Sequence, residues 1–186
     1  MKIIYIKIKN YKSIRELEIN DIENALILVG KNNTGKTSVI DALLLASDLK
    51  PAPAHEFLDI TKPIDISIQI EFTEEDLNYY YSRGILCKSN SFEKWFEEFK
   101  ERIPSYKDGI VSFTFHNNPN GTTRYNDGFN KHNTDIEKII PKIYHIDQTR
   151  NLEALQNDVF SFYDKESFQK LKENESNDAI SGNRDE

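Results

Sequence analysis

The sequence contains one cysteine, one methionine and one tryptophan among 186 residues. A single thiol, Cys87, excludes an internal disulfide and a cysteine-built zinc cluster. Nothing in the sequence around it lowers its pKa, so it carries no sign of a reactive thiol. Histidine is scarce as well, and the four present (His55, His116, His132, His145) show no metal-ligand spacing. Long apolar runs are missing. None approaches the roughly 20 residues that span a bilayer. The start Met1-Lys2-Ile3-Ile4-Tyr5-Ile6-Lys7 carries charges and no small-residue cleavage site, unlike a secretory signal. Positive charge is outnumbered: 31 acidic residues against 24 basic ones leave a formal charge of −7. That balance argues against a stand-alone nucleic-acid binder, whose phosphate-facing surface must be basic. These absences lead us to expect a cytoplasmic protein in a reducing setting, with no membrane partner.

What is present suits one globular domain. Hydrophobic residues make up 38% and charged residues 30%, enough for a core but low enough to suggest some unpacked length. Ile4, Ile6 and Ile8 alternate with Tyr5, Lys7 and Lys9, a period of two that predicts a half-buried strand. Asn10 to Ser13 reads as a turn, and Ile14, Leu17 and Ile19 as a second strand pairing back on the first. Ala25-Leu26-Ile27-Leu28-Val29 is apolar on both faces and stops at Gly30, which predicts a central strand of a covered sheet. After Gly35, Val39, Ile40, Leu43, Leu44 and Ala46 recur at helical spacing, and Pro51 and Pro53 end the helix.

Further along, Ile64, Ile66, Ile68, Ile70 and Phe72 predict another strand. Thr73-Glu74-Glu75-Asp76 has the form of a helix start with acids in its first turn. Phe92, Trp95, Phe96 and Phe99 mark an amphipathic helix stopping before Pro104, its aromatic residues read as core packing rather than a base-stacking platform. Val111, Phe113 and Phe115 form a strand. Asn117 to Gly121 is a turn, and Thr122 to Tyr125 returns as its hairpin partner. Thr134 is a candidate cap for a short helix through Ile140, and Ile143 to Ile146 a further strand. Residues 1–168 are expected to form the folded lobe and residues 169–186 a polar, disordered tail.

The chemistry sits at Gly30-Lys31-Asn32-Asn33-Thr34-Gly35-Lys36-Thr37, a complete Gly-x4-Gly-Lys-Thr pattern between an apolar run and a helix. Glycines at both ends allow backbone angles denied to other residues and a close approach to phosphate. Intervening N–H groups converge on the β-phosphate, and the helix beginning at Gly35 adds the positive end of its dipole. Lys36 is expected to bridge the β- and γ-phosphates and the Thr37 hydroxyl to ligate Mg²⁺. Ser38 is either an additional phosphate contact or a plain first-turn serine. The expected ligand is a nucleoside triphosphate, ATP with Mg²⁺.

Three stretches together resemble one family. Ile6 to Ile14 looks like the opening strand and turn of ABC-type ATPases of the RecF, SMC and OLD (overcoming lysogenization defect) group. Gly30 to Ser38, followed by Val39-Ile40-Asp41-Ala42-Leu43, is similar to their phosphate loop with its doubled asparagine. Lys142-Ile143-Tyr144-His145-Ile146-Asp147 looks like the strand leading to their Q-loop, and the overall spacing is nearest to OLD-family ATPases, including Gabija-type defence nucleases.

The resemblance implies an α/β P-loop NTPase, the N-terminal lobe of an ABC-type ATPase head, with a mixed β-sheet and flanking helices. It implies a second ATPase head as partner in the full-length protein, and DNA or another nucleic acid reached through regions outside this stretch. It places Gln148 as the Q-loop residue near Mg²⁺ and the attacking water, with a solvated loop glutamine as the alternative, and sets Lys12 and Ser13 near adenine and ribose, with an exposed turn as the alternative. Arg150 is either phosphate-facing or a surface ion-pair residue. The family's serine-glycine signature helix and Walker B acid do not appear, since Ser181-Gly182 lacks the following helix and Gln148 stands where a catalytic glutamate would follow Asp147. The expectation is therefore a fragment of a longer ATPase that hydrolyses little by itself. A RecF- or SMC-like DNA-repair ATPase and a non-hydrolysing nucleotide sensor are the other two readings.

Overall fold

The computed structural model describes residues 1–31, 35–141 and 143. Five strands make one sheet: β1 (Lys2–Tyr11), β2 (Ile14–Ile19), β3 (Ile64–Glu71), β4 (Ile110–Asn117) and β5 (Thr123–Asn126), in the order β2-β1-β3-β4-β5. Every pairing is antiparallel. The alternation in the sequence decides which side is buried, because successive side chains in a strand point to opposite faces. Ile6 and Ile8 stand opposite Ile68 and Ile66, and those stand opposite Phe113 and Phe115. All six are at most 3% exposed, and with Tyr125 they form a continuous apolar face. The other face is polar. Ser67 and Thr114 share a hydrogen bond of 2.8 Å across it, Asp65 and His116 meet at 2.5 Å, and Lys7 pairs with Glu16 and Glu18 at 3.0 and 2.9 Å. A register shift between Ile3 and Tyr5 adjusts β1 against β3.

Helices cover the apolar face. The first, α1 (Lys36–Asp48), buries Val39, Ala42 and Ala46. Its carboxy-terminal end is tied to β5: the Tyr125 hydroxyl donates to the Ala46 carbonyl at 2.5 Å, and the Thr123 hydroxyl to the Leu49 carbonyl at 3.0 Å. α2 (Glu74–Ser82) begins with a full capping box, Thr73 accepting from the Asp76 N–H while Asp76 accepts from the Thr73 N–H. α3 (Phe92–Arg102) is capped by Ser91. Between them lies an aromatic layer in which Trp95 touches Tyr81, Phe92 and Phe99 at ring separations of 5.2–6.1 Å and donates its indole N–H to the Ile85 carbonyl. The tyrosine triplet finds its roles here. Tyr80 is buried and donates to the Ile139 carbonyl, Tyr81 packs on Phe92, and Tyr79 is exposed. The helix α4 (Ile136–Ile139) has Asp135 rather than Thr134 at its N-cap position, without a side-chain cap hydrogen bond.

One expectation fails. Ala25 to Val29 is not a strand. Ile27 is 81% exposed and Val29 89% exposed, and only Leu28 of the run packs partly against the core. A strand apolar on both faces requires cover on both faces and a neighbour to bond, and the described residues supply neither. The sheet they do form is accordingly antiparallel throughout. The strand expected at 143–146 lies, apart from Ile143, outside the described residues, as does the boundary expected at 168.

Asn10 fixes the chain just before the β1–β2 turn. It adopts a left-handed conformation, φ 60°. Its side-chain amide donates to the carbonyls of Asp59, Lys62 and Pro63 at 2.8–3.1 Å and accepts from the Asp59 N–H at 2.7 Å. Asn10→Ala should cost about 2–4 kcal/mol, from unsatisfied buried carbonyls and left-handed strain together. Asn10→Gly, which removes only the hydrogen bonds, should cost less. Urea unfolding of both variants checks the order.

Candidate phosphate-binding site

The amino-terminal end of α1 is built differently from that of α2. α2 opens with Glu74, Glu75 and Asp76 and a threonine cap, so its first N–H groups and its dipole are already answered by protein acceptors. α1 opens on Gly35, with φ 87°, no side-chain cap and no acid in its first turn. Its first intrahelical bond runs from the Val39 N–H to the Gly35 carbonyl at 3.3 Å. The N–H groups ahead of that bond have no intrahelical acceptor, and such groups at a helix start suit an anion. Glycine is required here because the left-handed φ disfavours any side chain.

Lys36, the first residue of α1, reaches back over the loop. Its ammonium donates to the Gly30 carbonyl at 2.7 Å and to the Lys31 carbonyl at 2.6 Å. Two neutral carbonyls are weaker partners for a lysine than phosphate oxygens, so the same side chain can exchange them for an anion in the loop. Thr37 is exposed and Ser38 half-buried. The donor set therefore fits a polyphosphate: helix N–H groups, a lysine spanning the loop and a hydroxyl at the second helical position. Of the residues expected in the site, the structure places Gly30, Lys31, Gly35, Lys36, Thr37 and Ser38. Asn32, Asn33, Thr34 and Gln148 lie outside the described residues, as do Asp147 and Arg150.

The β1–β2 turn is more than an exposed loop. Lys12 forms ion pairs with Asp41 of α1 at 2.6 Å and with Glu56 at 3.4 Å. Partial burial works against the Lys12 charge, but Asp41, Tyr11 and Glu56 outweigh it, and its pKa lies above the ordinary lysine value. Burial, reinforced by Glu56, pushes the Tyr11 hydroxyl up as well. Ser13 is exposed, with its Oγ 3.4 Å from where a Cβ on Gly35 would stand. The grouping of Lys12 with Asp41 and Glu56 had no signal in the sequence, because 29 residues separate Lys12 from Asp41.

Other candidates resolve into structure. Cys87 has its thiol pKa raised by burial and by Glu98, the opposite of an activated nucleophile. No cluster of His, Cys, Asp and Glu among the described residues can hold a metal ion. No helix among them is long and apolar enough to cross a membrane.

Comparison with known proteins follows this geometry. No curated protein matches the chain. Among solved structures, one from work on ATP-driven dimerization and DNA-stimulated activation of SMC ATPases is 15% identical, covering 84% of this chain and 92% of that one, with a TM-score of 0.49. An SMC head bound to the C-winged helix domain of ScpA is 17% identical, covering 76% of this chain and 42% of that one, with a TM-score of 0.47. Both are partial likenesses of shape, and neither identifies a ligand. The AAA ATPase domain pattern matches residues 1–183, nearly the whole sequence, and the chain belongs to that family.

Proposed function

We propose that this chain binds Mg-ATP through Gly30 to Ser38 as the nucleotide-binding lobe of an SMC- or OLD-like ATPase head. One observation carries the reading: α1 begins on a left-handed glycine with no acid and no side-chain cap, and Lys36 bridges back over the loop. Lys36 would hold the β- and γ-phosphates, the N–H groups from Gly35 to Ser38 the β-phosphate, and Thr37 the metal, with Gln148 as its second ligand. Bound Mg²⁺ supplies charge neutralisation between the phosphates. In this reading a second head of the same kind packs over the loop and completes the site. The resemblance of Ile6 to Ile14 and of the doubled asparagine to the RecF, SMC and OLD group, with an overall spacing nearest to OLD-family ATPases, supports a DNA-directed setting such as phage defence.

Calorimetry with Mg-ATP is expected to show binding by the wild type and none by Lys36→Ala; equal affinities would overturn the assignment. Thr37→Ala should weaken the Mg²⁺-dependent part of binding more than the Mg²⁺-independent part.

The chain by itself should turn over ATP far more slowly than about one per second, because phosphoryl transfer needs metal, oriented water and charge stabilisation together. A phosphate-release assay at or above that rate would return Asp147 to the role of the Walker B acid. Light scattering should show little ATP-driven association of these 186 residues but dimers or larger assemblies of a longer product that includes a signature helix. A longer product that stays monomeric in saturating ATP would favour the nucleotide-sensor reading.

A further inference from the structure

A phosphate loop works only if the helix behind it points correctly. α1 fully buries only Val39, Ala42 and Ala46, with Leu43 and Leu45 partly buried against the core, so its largest side chains are not fully locked into the sheet. The carboxy-terminal end is held by Tyr125 and Thr123. From Ala46 back to Gly35 the helix measures about 16 Å, at about 1.5 Å per residue, so a tilt of about 4° carries Gly35 about 1 Å. That is the difference between a good hydrogen bond and none.

The opposing tie comes from the β1–β2 turn. Lys12 reaches Asp41, in the second turn of α1, at 2.6 Å. Glu56 secures Lys12 from the other side: its carbonyl accepts from the Lys12 N–H at 2.6 Å, and its carboxylate meets the Lys12 ammonium at 3.4 Å and the Tyr11 hydroxyl at 3.1 Å. The side chains of Lys12, Asp41 and Glu56 are 29%, 28% and 18% exposed, so solvent screens the cluster only in part. The Ser13 Oγ stands 3.4 Å from where a Cβ on Gly35 would be, so the turn passes close to the helix start.

We propose that Lys12 and Asp41 are positioning residues for the phosphate loop, their ion pair fixing the amino-terminal end of α1 against the β1–β2 turn so that the Gly35 end meets the nucleotide in register. The proposal rests on the ATP-binding reading and assigns Lys12 to the helix, not to the nucleotide. In a direct-contact role Asp41 would compete with ATP for the lysine, and removing it would leave binding unchanged or tighter. In a positioning role both partners matter, and neither matters without the other.

The test is Mg-ATP affinity of the full chain for Lys12→Met, Asp41→Asn, the double variant and the exchanged pair Lys12→Asp with Asp41→Lys. Each single variant should weaken binding about tenfold, the double variant no more than the weaker single, and the exchange should restore part of the loss, as coupled contacts behave. Lys12→Arg, which keeps the charge, should bind nearly as the wild type does. Circular dichroism at the assay temperature reports the folded fraction. Affinity that falls only in step with that fraction overturns the proposal, as does undiminished binding by Asp41→Asn or additive losses in the double variant. If a single variant does not fold, Lys12→Arg and Asp41→Glu decide: wild-type affinity in both supports the charge pair, and loss in Lys12→Arg overturns it. Failure of the ATP reading is distinct, since there the wild type and Lys36→Ala bind alike.

Discussion

The structure depends on the need to cover one apolar sheet face. Five antiparallel strands place isoleucines, phenylalanines and a tyrosine on the same side, and water must be excluded from it. The helix that follows the phosphate loop is drawn onto that face, and its alanines let its backbone approach closely. The loop's direction is a by-product of this packing. The sheet thereby determines where the glycine-initiated end of α1 points.

Two helices of the same lobe show how sequence decides the use of a helix start. In α2 a threonine and three acids satisfy the first turn internally, and the element is structural. In α1 the first turn is Lys36-Thr37-Ser38, without an acid, after a glycine in a conformation closed to other residues. The same backbone dipole is neutralised in one case and kept available in the other. Lys36 rests on the carbonyls of Gly30 and Lys31, at the same end of the helix.

Much of this was legible from residue pattern alone, where the determining contacts are local. Alternation at Ile64 to Phe72, the acid-rich helix start at Thr73 to Asp76, the aromatic spacing from Phe92 to Phe99 and the Asn117–Gly121 turn each predicted its element, because each depends on near neighbours. The Gly-x4-Gly-Lys-Thr pattern likewise marked where α1 begins, on a left-handed glycine. Contacts across long separations were not legible. Nothing in a turn lysine at position 12 indicates a carboxylate at position 41, and nothing in Ala25 to Val29 indicates that the run stays outside the sheet. Hydrophobicity identifies a segment that wants cover; it does not say whether nearby chain provides it. Thr134 was misjudged as a cap by one residue, the scale on which helix boundaries vary.

The burial of Trp95 has an optical consequence. It is the protein's only tryptophan, and its indole is fully enclosed between α2 and α3, with Tyr81, Phe92 and Phe99 around it and its N–H engaged by the Ile85 carbonyl. Its emission therefore comes from a dry, rigid environment and lies toward short wavelengths while the aromatic layer is intact. The intrinsic fluorescence of this protein is a gauge of that layer, so loss of the layer registers as a red shift.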